Sequence, residues 1–244
     1  MTLKRSRIGI LILAFMMLTG VLYSAARTTT HPDFKTIRNE TLNPDSQYYY
    51  PTLLKKFMSP DTTMTEDDYH YLYYGVVFQE DYNPYRPNPF LEEQRAAEPL
   101  YTRPGGLSRS EKNQILRLAE KSIANNPLNL LQLSYMVYAY KELGKDNLEK
   151  IWHHKLANLL MTITRSGTGA DKEHAIVIVY PSHEFEYFNL SSATVEDQQF
   201  EQPYYEQVKV RPPGSSETRS YWFDLHHILE QYYEKHPSEN DYDQ

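Results

Sequence analysis

Residues 119–144 of this 244-residue chain, AEKSIANNPLNLLQLSYMVYAYKELG, set its architecture. The stretch combines the end of one helix, a short Asn-Asn-Pro junction and a second helix. Asn126 is predicted to cap the second helix, with Pro127 in its first position and Gly144 just past its end. Helices joined by so short a turn must lie antiparallel to each other.

The neighbouring sequence extends this antiparallel arrangement on both sides. Ser108 and Glu111 form a capping box that predicts a helix from there to about Asn125. Asp146 starts a third helix, whose apolar residues as far as Ile163 lie on one stripe. The junction also resembles one tetratricopeptide-type hairpin. Such arrays need about three copies and no second copy follows at the period of about 34 residues, so a single hairpin inside a larger domain is predicted.

Two further helices are predicted on the N-terminal side of this block. Pro51 suits the first turn of a short helix that runs to Phe57. Thr65 and Asp68 approximate a capping box, and the apolar residues from Tyr69 onward recur at the spacing of an amphipathic helix. The face that carries these residues is expected to form part of the core.

The C-terminal third changes from helical to strand periodicity. Residues 175–180 form a short apolar run of strand length, and residues 184–190 alternate between aromatic and acidic side chains. Residues 206–210 and 219–223 flank a Pro-Pro-Gly loop and are predicted as a hairpin. Residues 225–234 are predicted as a final helix. This order favours an α+β fold: N-terminal helices with the tetratricopeptide-like hairpin, then a small antiparallel sheet and a C-terminal helix.

The first 26 residues are typical of an export signal. Three cations precede an uncharged apolar run over residues 8–22, and Ser24-Ala25-Ala26 fits a signal peptidase site. One interpretation is cleavage after Ala26; the other is retention as a membrane anchor, which needs about 20 apolar residues. The length of the apolar run and the residues that flank it favour cleavage. The expected location is the periplasm or cell envelope, with an inner-membrane anchor as the alternative.

The chain is divided accordingly. Residues 1–26 are predicted as a signal peptide and residues 27–43 as a flexible tether, because the latter are polar, threonine-rich and without periodicity. Residues 44–244 are predicted as a single α+β domain, helical over 44–165 and mainly β over 170–236. A domain of this size can form a self-sufficient core.

Composition excludes several classes of function. The chain has no cysteine, which rules out disulfides, thiolate zinc sites and cysteine nucleophiles. Its formal net charge is −7, and loss of the leader's three cations lowers it to −10. Nucleic acids and anionic lipids are bound chiefly by neutralising phosphate charge, so neither nucleic acid nor a specific lipid is expected as a partner.

The histidines do not form a metal-binding pattern. His183 and Glu184 begin like a zinc-protease motif, but Tyr187 stands where that motif requires a second histidine. The adjacent histidine pairs at 153–154 and 226–227 point about 100° apart on a helix and cannot chelate as an i, i+4 pair does. The sequence therefore assigns no metal, no cofactor and no catalytic residue.

The 22 tyrosines are the unusual feature of the composition. Tyrosine serves partly wetted core edges, which is the commoner use, and also surfaces that recognise peptides or sugars. Residues 81–106 are rich in proline and glycine and are predicted to be an extended crossing segment without long regular structure. Together these features predict a non-catalytic module that binds a peptide or protein partner in the envelope. The candidate binding residues are Tyr73, Tyr74, Asp81, Tyr82, Tyr85 and Arg86.

A hydrolase is the alternative from a different class. Asp81, Glu92, Glu93 and Glu98 border the proline-rich segment and could supply paired carboxylates for cleavage of an envelope glycan or peptide. Solvated loop carboxylates are the commoner interpretation of such residues.

Three segments resemble an uncharacterised family of exported proteins from Bacteroides-like Gram-negative bacteria, domain of unknown function 4919. They are DTTMTEDDYHYLYYGVVFQEDYNPY at residues 61–85, GADKEHAI at 169–176 and SYWFDLHHI at 220–228. The resemblance implies an α+β fold and export. It implies no activity and no catalytic residues, because that family has none assigned.

Overall fold

The computed structural model describes residues 29–102 and 106–237. The predicted signal peptide, residues 1–26, lies outside this part of the chain. The helices within it are α1 (Phe34–Leu42), α2 (Tyr50–Met58), α3 (Glu66–Gly75), α4 (Leu91–Thr102), α5 (Arg109–Asn125), α6 (Leu130–Glu142), α7 (Asp146–Ser166), α8 (Ser182–Leu190) and α9 (His226–Lys235). The strands are β1 (Ile176–Val177), β2 (Thr194–Glu201), β3 (Tyr205–Arg211) and β4 (Arg219–Asp224). The α+β class predicted from the sequence is confirmed.

The capping signals located most helices correctly. Both predicted capping boxes are present, at the starts of α3 and α5, and Gly144 adopts a positive φ of 70° just past α6. The predicted start of α6 is wrong by three residues. The N–H of Asn126 bonds to the carbonyl of Ser122 and so ends α5, whereas the side chain of Asn129 accepts the N–H of Gln132 at 2.9 Å and caps α6.

Residues 34–42 form helix α1, so the prediction of a flexible tether over residues 27–43 is wrong there. Asp33 caps the helix by accepting the N–H groups of Lys35 and Thr36. Phe34 and Ile37 are buried and attach α1 to the core. The approach to α3 is close, since a methyl group at Gly75 would lie 2.5 Å from the side chain of Thr41.

Helix α4 occupies the middle of the proline-rich segment, which was predicted to lack long regular structure. The side chain of Asn88 accepts the N–H of Phe90 at 2.9 Å just before the helix. Glu92 and Glu93 lie in its first turn, where negative charge is favourable. Pro99 lies three residues before the end of the helix, where it removes the N–H that would otherwise bond to the carbonyl of Arg95.

The sheet has the strand order β1-β4-β3-β2 and is mixed. β3 pairs antiparallel with both β2 and β4, whereas β1 pairs with β4 in parallel, so the prediction of an antiparallel sheet is wrong for β1. The predicted hairpin is confirmed as β3 and β4. β2 was not predicted, because its sequence is almost entirely polar and its side chains are mostly exposed.

Residues 184–190 lie in helix α8, and the predicted strand there is wrong. The alternation that suggested a strand does not mark the buried face, since Phe185 is 41% exposed while Glu184 and Glu186 are buried. Hydrogen bonds from neighbouring elements to these two carboxyls hold the helix against the body of the protein.

One hydrophobic core joins the helices to the sheet. Helix α3 lies at its centre and buries Tyr69, Leu72, Tyr73 and Tyr74 completely. None of the helices over residues 29–102 and 106–237 is both long enough and apolar enough to cross a bilayer.

Candidate functional site

Three of the six residues predicted to bind a partner lie in the core. Tyr73, Tyr74 and Tyr82 are at most 4% exposed. The hydroxyl of Tyr82 donates to the carbonyl of Val179 at 2.5 Å, and burial raises the pKa of all three phenols. Their assignment to a binding surface is wrong, because no partner can reach the rings in this structure.

The other three predicted residues are exposed. The guanidinium of Arg86 donates to the backbone carbonyl of Asp81, which fixes the turn between them. The ring of Tyr85 packs edge-to-face against Tyr232, with 4.8 Å between centroids. A role of these three side chains in binding stays a prediction.

The structure places a different set of polar and aromatic residues around a pocket of about 280 Å³ between α3 and α7. On α3 the lining residues are spaced i, i+1, i+4 and i+5, and on α7 they are spaced i, i+4 and i+7, so each set lies on one face of its helix. We call it the α3–α7 pocket. Its lining residues are Thr30, Tyr48, Glu66, Asp67, His70, Tyr71, Asn158, Thr162 and Arg165.

Aromatic rings form one wall of the α3–α7 pocket. Tyr48 and Tyr71 stack with 3.9 Å between centroids and 13° between planes, and burial raises the pKa of both phenols. The ring of His70 lies 5.0 Å from that of Tyr74. Burial lowers the pKa of His70 despite the opposing effect of Asp67. This wall is therefore uncharged at neutral pH.

The pocket is lined by two carboxylates and one guanidinium, so its charges do not cancel. The guanidinium of Arg165 pairs with the carboxylate of Glu66 and, by that hydrogen bond, lowers the pKa of Glu66. The carbonyl of Arg165 also accepts the N–H of Thr30 at 2.7 Å. Asp67 makes no side-chain hydrogen bond or ion pair with any described residue. Since Glu66 and Arg165 cancel, the pocket carries one net negative charge.

A second polar cluster lies inside the protein, on α8. His183 is fully buried, and its Nε2 lies 3.1 Å from the carbonyl oxygen of Leu128. A carbonyl can only accept, so Nε2 carries the proton and Nδ1 accepts the hydroxyl of Tyr73 at 2.7 Å. Burial lowers the pKa of His183 to about 3. This histidine is a neutral structural link between α3 and α8.

Two buried carboxyls on α8 belong to the same cluster. Glu186 accepts the N–H of Leu131 at 3.2 Å at the start of α6, and burial raises its pKa to about 7. Glu184 accepts the side-chain amide of Gln198, on β2, at 2.9 Å. Burial, followed by the charge of Glu206, raises the pKa of Glu184 to about 9. Both carboxyls join elements of the fold and are closed to solvent.

Two of the four carboxylates proposed for a hydrolase lie in ion pairs on the surface. Glu92 pairs with Arg95 at 2.9 Å and Glu93 with Lys121 at 3.0 Å, all on the surface. Across the part of the chain that the structure describes, no group of three or more metal-ligating side chains is assembled.

Sequence reasoning missed the α3–α7 pocket. The capping box identified Thr65 and Asp68 at the start of α3, where Asp68 accepts the N–H of Thr65 at 2.9 Å, but it gave no role to Asp67 or His70. A signal existed on α7, where Asn158 and Arg165 fall on one polar face. Nothing in the sequence shows that this face lies opposite α3.

The fold and pocket define an α+β domain in which a helical array packs on a small mixed sheet. The chain belongs to the family described as Domain of unknown function (DUF4919), whose model matches residues 35–234. The match begins within α1, in agreement with α1 being part of the domain. No curated protein and no solved structure matches the chain.

Proposed function

We propose that this protein is exported to the periplasm or cell envelope, where it binds a peptide or protein segment without catalysis. The α3–α7 pocket is the binding site. The observation that carries the proposal is the convergence of stacked tyrosines, a half-buried histidine and an unpaired carboxylate on one concave site. Amphipathic aromatic rings with a few placed polar groups are typical of binding sites.

The size of the pocket favours one side chain of a longer ligand. Pockets for whole small molecules usually measure about 300–1,000 Å³, and this pocket, at about 280 Å³, lies just below that range. Glu66 and Asp67 are exposed at its edge, so a chain can run past the opening while one side chain enters. The carboxyls with the largest pKa shifts, Glu184 and Glu186, lie instead in the α8 cluster, which favours binding over chemistry in the pocket.

Export has a direct test. Mass spectrometry of the protein from the envelope fraction should show a mature N-terminus at Arg27. An intact Met1 on protein from the cytosol would contradict export.

Binding by the pocket is tested with a displayed library of random peptides selected on the purified protein. Tyr71→Ala removes one of the two stacked rings and should weaken binding of the selected peptides at least tenfold, since a well-packed aromatic contact is a typical binding hot spot. Tyr85→Ala is the matched control on the surface predicted from sequence. Circular dichroism should show both variants folded. Selected peptides that bind Tyr71→Ala as tightly as wild type would contradict the assignment.

A further inference from the structure

We propose that the α3–α7 pocket selects a cationic group, the guanidinium or ammonium of an arginine or lysine side chain in the bound segment. The inference rests on the proposed function and specifies its ligand. It starts from the charges of the pocket, where the only carboxylate without a partner among the described lining residues is that of Asp67.

The positive groups near the pocket are already neutralised, which argues against an anion. Arg165 is paired with Glu66. The N-terminus of α3 would otherwise attract an anion, but Thr65 accepts the N–H of Asp68 at 3.1 Å. Three acidic residues also occupy the first turn of α3. An anionic ligand would have to displace Glu66 and approach Asp67.

The uncharged groups of the pocket suit a cation as well. Aromatic faces attract ammonium and guanidinium groups, and guanidinium also stacks on such rings. Tyr48 and Tyr71 present a stacked pair at the wall. The imidazole of His70 makes no hydrogen bond within the described chain, and in its neutral form it retains one acceptor nitrogen. A guanidinium has five donors and no acceptor, so Asp67 and His70 are complementary to it.

The test compares ligands that differ only in charge. Acetylated, amidated Gly-Arg-Gly and Gly-citrulline-Gly have nearly the same shape, but citrulline is neutral. In a calorimetric or NMR titration, the wild type should bind the arginine peptide at least tenfold more tightly. A higher salt concentration should bring the affinities for the two peptides closer together, because exposed charges are screened.

Asp67→Asn should bring the ratio of the two affinities close to one. Asp146→Asn is the matched control: it removes the same charge at the other end of α7, about 18 Å along the helix from Asn158, and should preserve the ratio. Equal binding of the two peptides by wild type, or binding of neither, overturns the cation inference. The proposed function fails separately, if selected peptides do not depend on Tyr71.

Discussion

Raising the pH from about 6.5 to about 8 should lower the free energy of unfolding, with Glu184 alone contributing about 1.4 kcal/mol per pH unit. The pKa of Glu184 is raised from its ordinary value of 4.5 to about 9 in the folded protein. Between those values the folded state holds a proton that the unfolded state has released. The stabilisation is complete below about pH 4.5 and is lost as the pH rises through the folded-state pKa.

Between about pH 6.5 and 8, Glu184 makes the largest contribution of the α8 cluster to the pH dependence of the free energy of unfolding. The pKa of Glu186 is raised to about 7, so it adds to the fall in stability mainly in the lower half of this range and little near pH 8. His183 acts in the opposite direction, because its pKa is lowered to about 3, and it destabilises the fold only below about pH 6.5. Lys155, with a pKa lowered to about 8, adds a rise in stability only above about pH 8.

Urea unfolding at several pH values measures the slope of the free energy of unfolding against pH. Glu184→Gln should flatten it and make the protein more stable than wild type at pH 8, because the amide stays neutral while its oxygen can still accept from Gln198. Glu217→Gln, an exposed change on the loop before β4, should leave the slope as in wild type. An unchanged slope in Glu184→Gln would show that this carboxyl is ionised in the folded protein.

Replacing Lys155 by alanine should lower the free energy of unfolding by about 3–5 kcal/mol. Lys155 is fully buried, and its ammonium donates to the backbone carbonyls of Phe57 and Ser59 at the end of α2. The charge also lies 4.6 Å from the ring centre of Trp152. Truncation leaves two carbonyls without donors and opens a cavity between α2 and α7.

Chemical denaturation of three variants separates the effects of the hydrogen bonds, the side-chain volume and the buried charge of Lys155 on stability. Lys155→Met keeps most of the volume and should cost less than Lys155→Ala, since it loses the hydrogen bonds but avoids the cavity and the burial of charge. Lys150→Ala, exposed on the same helix, should change stability by less than about 0.5 kcal/mol. A loss below about 1 kcal/mol in Lys155→Ala would contradict the role of this lysine as an anchor.

Features of the fold that depend on neighbouring residues were predictable from sequence. The capping boxes at Thr65 and Ser108 and the positive-φ glycine at Gly144 are local signals, and the structure confirms all three. β2 and α8 depend on distant partners. β2 is polar and is held by its pairing with β3. Helix α8 buries carboxyls that accept hydrogen bonds from α6 and β2, which are distant in sequence.

The binding residues were harder to predict because tyrosine suits both the core and the surface. Tyr73 lies on the apolar face of α3 and was also proposed to contact a partner; its burial decides for the core. The pocket depends on Tyr48, α3 and α7 coming together. These segments are far apart in sequence, and spacing within one helix carries no information on which other helix it will face.

The most direct test of the α3–α7 pocket is the position of a bound peptide. An NMR structure determination with a peptide selected on the wild type should give intermolecular contacts to the ring protons of Tyr48 and Tyr71. Contacts confined to Tyr85 and Arg86 would contradict the pocket as the binding site and return the function to the surface predicted from sequence.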